Sequence, residues 1–238
     1  MDDQMIFKRY EIKYLLTNEQ LLQIDEEMKR HVTADKHGSS TIRSLYCDTP
    51  DYLLVRRSLE KPLYKEKLRL RSYGPATDGD TIFIELKKKY DSVVYKRRIA
   101  MPLASAMKYL YTHHPADNSQ IAREIDYCIS HYRQLVPKIL LTYEREAFYG
   151  IENDDLRITF DRNILWRDQD LNLTNDIYGT PILAENQVLM EIKTGSAIPL
   201  WLVKILSKNH IYKTSFYKYG TAYQMMLWNR TGGTYHYA

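Results

Sequence analysis

The sequence predicts an α+β fold built on a closed antiparallel β-barrel of about eight strands, with helices packed on its outer surface. It is read as a single domain over residues 1–238, with its core at about 6–228. Three observations carry that prediction. Strand-like runs predominate and follow one another along the chain, which favours antiparallel pairing. Helical runs fall between them in blocks. Last, Glu11-Ile12-Lys13, Glu85-Leu86-Lys87 and Glu191-Ile192-Lys193 repeat one pattern, and Lys67-Leu68-Arg69-Leu70-Arg71 has the same period with cations alone. A two-residue spacing places alternate side chains on one face of a strand, so each run has an apolar face and an ionic face.

The elements follow in order. A first strand is expected over 6–16, and Thr17-Asn18-Glu19-Gln20 then fits a capping box. The helix it opens runs to about Arg30, with Leu21, Ile24 and Met28 on one face. Residues 31–40 are polar and read as a loop. Thr41 to Cys47 reads as a strand, closed by the turn Asp48-Thr49-Pro50-Asp51. Residues 63–73 and 81–90 form a hairpin around a Gly- and Pro-containing connection, and 92–99 add a third strand. Helices are expected over 102–112 and 118–135, the second with Ile121, Ile125, Cys128, Ile129, Tyr132 and Leu135 at helical spacing. Strands resume at 138–148, 156–162 and 187–194, with 163–186 irregular between the last two. Helices over 198–207 and 217–228 complete the chain. Tyr10, Tyr14, Tyr217, Tyr219 and Tyr223 read as packed rings with their hydroxyls at the surface.

The hydrophobic fraction of 44% and charged fraction of 27% are those of a soluble globular protein. The acidic start Met1-Asp2-Asp3-Gln4 lacks the order of a signal peptide. The most apolar stretch, 198–206, is too short to span a bilayer and contains Lys204. Two lone cysteines, Cys47 and Cys128, form neither a metal cluster nor a disulfide framework, and a cytoplasmic location is expected. His113-His114 lies beside Pro115 in an expected loop and is read as a surface pair rather than a metal site.

A net charge of +4 does not by itself indicate nucleic acid, but its placement is uneven. Arg9, Lys13, Lys67, Arg69, Arg71, Lys87, Lys89, Arg145, Arg157 and Lys193 fall on the ionic strand faces, against Glu11, Glu85, Asp161 and Glu191. The opposite faces, such as Ile82, Ile84 and Leu86, are aliphatic and suited to lie beneath helices. The ionic faces would then line the lumen. Burying an ion dry costs several kcal/mol, so such a lumen is wet and binds anions. Arginine offers a planar fork for phosphate and lysine a mobile point charge. Carboxylates among phosphate-binding cations call for a divalent metal, Mg²⁺ or Mn²⁺. If the ionic faces pointed outward instead, the chain would present an exposed basic sheet of the kind that binds RNA.

These strands resemble those of the triphosphate tunnel metalloenzyme superfamily, and more closely the polyphosphate polymerase domain of the vacuolar transporter chaperone complex and its bacterial relatives. Further matching pieces are Ser44-Leu45-Tyr46-Cys47-Asp48-Thr49, Tyr143-Glu144-Arg145-Glu146-Ala147, Arg157-Ile158-Thr159-Phe160-Asp161 and Ser215-Phe216-Tyr217-Lys218-Tyr219, so the resemblance spans about 6–228. It implies metal-dependent handling of ATP or another triphosphate, with growth of polyphosphate in this branch. It implies that Lys13, Arg69, Arg71, Lys87, Arg145, Arg157 and Lys193 contact phosphate. Arg69, Arg71 and Arg157 would surround the γ-phosphate, and Lys218 would add a basic contact at a tunnel mouth. Glu191 is implied as the metal ligand, with Glu11 and Glu85 as lesser candidates. The hydrolase branch opens with two glutamates before the lysine. Arg9-Tyr10-Glu11-Ile12-Lys13 departs from that pattern and favours the polymerase branch. The alternatives left open are an inorganic triphosphatase on the same tunnel and a non-catalytic polyphosphate-binding module; no nucleic acid and no membrane segment are expected, and no protein partner is indicated.

Overall fold

The computed structural model describes residues 10–91, 93–112 and 118–232; Arg9, His113 and His114 lie outside the described residues. The order is β1 (Tyr10–Thr17), α1 (Asn18–Met28), β2 (Val32–Asp48), α2 (Leu53–Leu59), β3 (Tyr64–Tyr73), β4 (Thr81–Tyr90) and β5 (Val93–Pro102). Then come α3 (Leu103–Thr112), α4 (Gln120–Tyr132), β6 (Val136–Gly150), β7 (Arg157–Arg167), β8 (Thr180–Pro181), β9 (Gln187–Thr194), α5 (Leu200–Lys208), β10 (Lys213–Thr214) and α6 (Lys218–Arg230). The strands form one ten-stranded sheet in the order β10-β1-β9-β7-β6-β2-β3-β4-β5, with β8 against β7. Every pairing is antiparallel.

The closed barrel expected from the sequence is not formed. The end strands β10 and β5 do not pair, and β10 offers β1 only the partners Lys13↔Thr214 and Tyr14↔Lys213, too short a ladder to carry the sheet round. The sheet is nevertheless strongly curled. Lys87 on β4 reaches Glu11 on β1 across the seam, with Nζ donating to both carboxylate oxygens at 2.8 and 3.0 Å.

Alternation fixes the two faces. On the convex side Leu68, Leu70, Ile82, Ile84 and Leu86 are fully buried beneath α3 and α4, joined by Ile125, Cys128 and Ile129. Val188, Met190 and Ile192 are likewise buried with Ile24, Met28, Leu202 and Leu206 of α1 and α5. Thr17 caps α1 as anticipated: its hydroxyl accepts from the Gln20 amide at 3.1 Å, and the Gln20 side chain accepts from the Thr17 amide at 3.0 Å.

Two further expectations are revised. Residues 31–40 are not a loop, because β2 begins at Val32 and pairs with the far end of β6; a register shift between Ala34 and Ser39 absorbs the extra residues that hid its period. Nor do all helices lie outside. α2 and α6 enter the concave side, where Tyr219, Ala222, Tyr223 and Met226 cover Ile139, Leu141 and Leu189 at one end of the inner face.

Asp48 sets the position of that plug. Fully buried, its Oδ1 accepts from the amides of Thr49 and Leu54 at 2.8 Å, and its Oδ2 accepts from Val55 at 3.0 Å and from the Tyr219 hydroxyl at 2.8 Å. One carboxylate thus starts α2 and ties it to α6, and the Tyr219 hydroxyl is directed inward rather than to the surface. Asp48→Ala strands these donors, and the expected loss is about 3 kcal/mol or more of unfolding free energy. Urea denaturation measures it; a loss below about 1 kcal/mol would show that the clamp is dispensable.

Candidate functional site

The ionic strand faces converge on the concave side above the plug. Register builds the first cluster, with Arg69 of β3 opposite Glu85 of β4 and Glu85 opposite Arg98 of β5. Glu85 is only 1% exposed, yet four cations hold it. Arg69 lies at 2.7 Å and Lys96 at 2.7 Å, with Arg98 at 3.3 Å and Arg71 at 3.7 Å. Burial acts to raise its pKa, but Arg69, Arg71 and Lys96 outweigh that and hold it well below the carboxylate range. Arg71 is itself buried, and donates to Ser44 Oγ at 3.3 Å and to the Tyr143 hydroxyl at 3.0 Å.

The second cluster forms on the opposite wall. Arg145 of β6 meets Asp161 of β7 with a two-pronged contact, Nε to Oδ1 at 2.6 Å and Nη2 to Oδ2 at 2.7 Å. Lys218, the first residue of α6, adds a contact to Oδ2 at 2.5 Å. Burial would raise the Asp161 pKa, but Lys218 and Arg145 bring it down to about 2. Tyr143 links the two clusters. It is 4% exposed, and although burial raises its phenol, Arg71 and Arg145 pull it down to about 8.

The third cluster lies at the seam. β1 and β9 pair Lys13 with Glu191 and Glu11 with Lys193. The Lys13 ammonium donates to the Phe216 carbonyl at 2.9 Å. Burial lowers the Lys13 pKa to about 8 despite Glu191. Glu191 is 7% exposed, and its closest cation, Lys193, stands at 3.7 Å. Burial acts to raise it, and Lys193, Lys13 and Lys218 together hold it well below the usual carboxylate value. It is ionised and buried, and among the described residues it accepts no hydrogen bond. Glu11 lies diagonally beside it and acts on it electrostatically.

That contrast bears on a metal. Among the described residues no three His, Cys, Asp or Glu side chains come together. A hard divalent cation here would therefore have one or two carboxylates and draw its remaining ligands from phosphate and water, a donor set suited to Mg²⁺ or Mn²⁺. Glu85 and Asp161 are saturated by cations. Glu191 has open oxygens, with Glu11 next to it, and these two residues fit the requirement.

The structure brings Lys13, Arg69, Arg71, Lys87, Arg145, Lys193 and Lys218 onto one surface with the four acids. Lys67 stands 3.3 Å over the Tyr217 ring, between the seam and the plug. Lys89 is opposite Lys65 near the end of the hairpin. Arg157 stands apart from Arg69 and Arg71: it pairs with Lys193 in register, lies 5.1 Å over the Tyr149 ring and is 3.8 Å from Asp35. Lys96, Arg98 and Tyr143 are additions that the sequence reading passed over. The signal for the first two was present, since the short connection between Tyr90 and Val93 places Arg98 opposite Glu85 and Lys96 opposite Lys87. Tyr143 carried none, because a single tyrosine in a strand reads as core.

Comparison with known proteins places this arrangement. No curated protein matches the chain. Among solved structures, a Bacillus halodurans protein provisionally assigned as an adenylate cyclase superposes with a TM-score of 0.56 at 14% identity, covering 90% of this chain and 96% of the other. A Vibrio parahaemolyticus protein with the same provisional assignment gives a TM-score of 0.50 at 14% identity, covering 92% of this chain and 98% of the other. At that identity the likeness establishes a shared fold. The sequence profile of the VTC domain matches residues 8–227, nearly the whole chain, and the protein belongs to the VTC domain family.

Proposed function

We propose that the chain catalyses metal-dependent phosphoryl transfer on ATP or another triphosphate, in the direction of polyphosphate synthesis. The observation that carries this reading is the unequal state of the groove's buried carboxylates. Two are neutralised by arginine and lysine, and Glu191 is left ionised and open beside Glu11. A purely structural ionic network would have no use for that third state.

In this reading Arg69 and Arg71 present their forks to the phosphoryl group being transferred. They are held rigid by Glu85, Tyr46 and Tyr143, so they need no reorganisation when charge develops. Arg145 and Lys218, fixed by Asp161, hold the adjoining phosphates. Lys13, Lys87 and Lys193 hold the chain along the seam, with Lys67 and Lys89 extending the track and Arg157 meeting it at the end marked by Tyr149. A terminal oxygen of phosphate or polyphosphate attacks the γ-phosphorus in line. The bond to the β–γ bridging oxygen breaks, and the nucleoside diphosphate leaves with that electron pair. Glu191, with Glu11 in support, would hold a divalent ion, which would supply neutralisation of phosphate charge. A second reading, hydrolysis of a short inorganic triphosphate, draws on one feature: α2 and α6 fill one end of the inner face, so a long polymer cannot pass through that end.

Glu191→Gln is expected to lower kcat at least about a hundredfold with Mn²⁺ present. It should leave tripolyphosphate binding in metal-free buffer unweakened, because the glutamate repels phosphate. Parallel loss of binding and turnover, measured by calorimetry and phosphate release, would remove its metal role. Appearance of long polymer from ATP separates synthesis from hydrolysis, and absence of any turnover leaves a binding module.

Lys96 provides a pH signature. Burial brings its pKa to about 8, although Glu85 acts to raise it. In the empty groove it therefore loses its proton as pH rises through about 8, whereas a bound polyanion favours the charged form. Affinity for tripolyphosphate should fall between pH 7 and 9, with proton uptake on binding near pH 8.5. In Lys96→Arg that charge is permanent and the profile flattens in part, leaving the share of Lys13, whose pKa burial also lowers to about 8. Titrations in two buffers of different ionisation heat measure both effects, and an unchanged profile in the variant would exclude Lys96 as the source.

A further inference from the structure

A second set of cations lies on the other side of the sheet. Arg43 of β2 and Arg167 of β7 are 3% and 6% exposed, and face the convex side beside Leu45 and Leu140. Neither guanidinium has a carboxylate within ion-pairing distance among the described residues. Arg43 donates through Nη1 to the carbonyls of Leu173, at 3.2 Å, and Asn175. Arg167 donates to the carbonyls of Asp170, Asp176 and Tyr178 at 3.1–3.3 Å. The segment 168–179 is thus drawn over two buried like charges. Burial and Arg167 both lower the Arg43 pKa, and Asp176 is near enough to offset them only in part.

Three buried polar atoms here have no hydrogen-bond partner among the described residues: Arg43 Nε, Thr142 Oγ1 and Nη2 of Arg167, whose guanidinium lies 4.1 Å over the Tyr178 ring. Thr142 is 2% exposed. It lies directly opposite Arg43 on β6, and Leu140, opposite Arg167, is two residues away on the same strand face. The three groups therefore share one patch of the convex surface across β2, β6 and β7. Two are donors that cannot accept, and the hydroxyl can turn to donate. A water molecule meeting such a set would accept from both guanidinium groups and donate to the hydroxyl, but it would leave the two like charges uncompensated. An anion accepts from all three and neutralises the paired charges.

We propose that Arg43, Arg167 and Thr142 form a buried site for one small inorganic anion of halide size, separate from the groove. The anion locks 168–179 onto β2 and β6. Ser44 and Tyr143, which follow Arg43 and Thr142 in their strands, both accept from Arg71, so the lock steadies the groove from behind.

Bromide tests this in two ways. Crystals soaked in bromide should show an anomalous scattering peak between the two guanidinium groups and Thr142 Oγ1; an ordered water there at saturating bromide would overturn the proposal. In solution at fixed ionic strength, replacing gluconate by bromide should raise Tm by about 3 °C when bromide reaches roughly ten times its Kd. The rise should persist in Arg69→Ala, which alters the groove, and vanish in Arg43→Met. A rise of equal size in Arg43→Met would place the bromide elsewhere and refute the site, and should that variant fail to fold, the anomalous peak decides.

Discussion

Like-charge repulsion on the concave face is the constraint on which the rest of this structure depends. Lysines and arginines from six strands and from α6 are brought onto one surface, partly out of water, where each uncompensated charge costs several kcal/mol. The fold meets this with few acids, each placed by strand register at the centre of several cations. Glu85 serves four cations, and Asp161 serves Arg145 and Lys218. The register of β3, β4 and β5 is therefore doubly determined. A one-residue slip would move the aliphatic set off the helices and also leave Glu85 facing α3 and α4.

The same constraint separates positioning from chemistry. Arg69, Arg71 and Arg145 have donors committed to carboxylate, serine or tyrosine oxygens, which fixes where their remaining donors point. The lysines at the seam are less restrained. Among the described residues Lys13 donates to a single carbonyl, and Lys193 sits 3.7 Å from Glu191. A rigid arginine wall facing mobile lysines suits a ligand with one phosphate held tightly and others passing along, because the arginines lose little entropy on binding and the lysines can follow a shifting charge.

Much of this was legible in the sequence, because the period of two survives in every ionic strand. Leu68, Leu70, Ile84, Leu86 and Ile192 were assigned to the buried face by alternation alone, and the capping box fixed the start of α1. What could not be read were features that depend on distant partners. Residues 31–40 have no apolar period, and become strand only because β6 is long enough to receive them. α6 carries Tyr219 and Tyr223 toward the inside because Asp48 takes one hydroxyl and the inner face offers an apolar patch; neither fact is local to the helix. The count of cations around Glu85 required the register of three strands at once, and Lys96 and Arg98 were missed for that reason.

The open seam follows from the same balance. A backbone ladder closing the sheet would set the gap between β1 and β4 at fixed strand spacings, whatever lay between. Instead the gap is spanned by side chains, chiefly Lys87 and Glu11, which are 35% and 26% exposed. An ion pair with that much solvent contributes about 1 kcal/mol or less. The buried clusters on either wall are far harder to disturb, since removing one partner from a buried pair costs about 3–5 kcal/mol. The walls therefore keep their geometry whether or not the seam is engaged. On the function proposed above, a phosphate chain, which carries more charge than Glu11, would compete with it for Lys87. An open sheet with a side-chain tie thus places the weakest electrostatic contact of the cationic face where no strand of its walls depends on it.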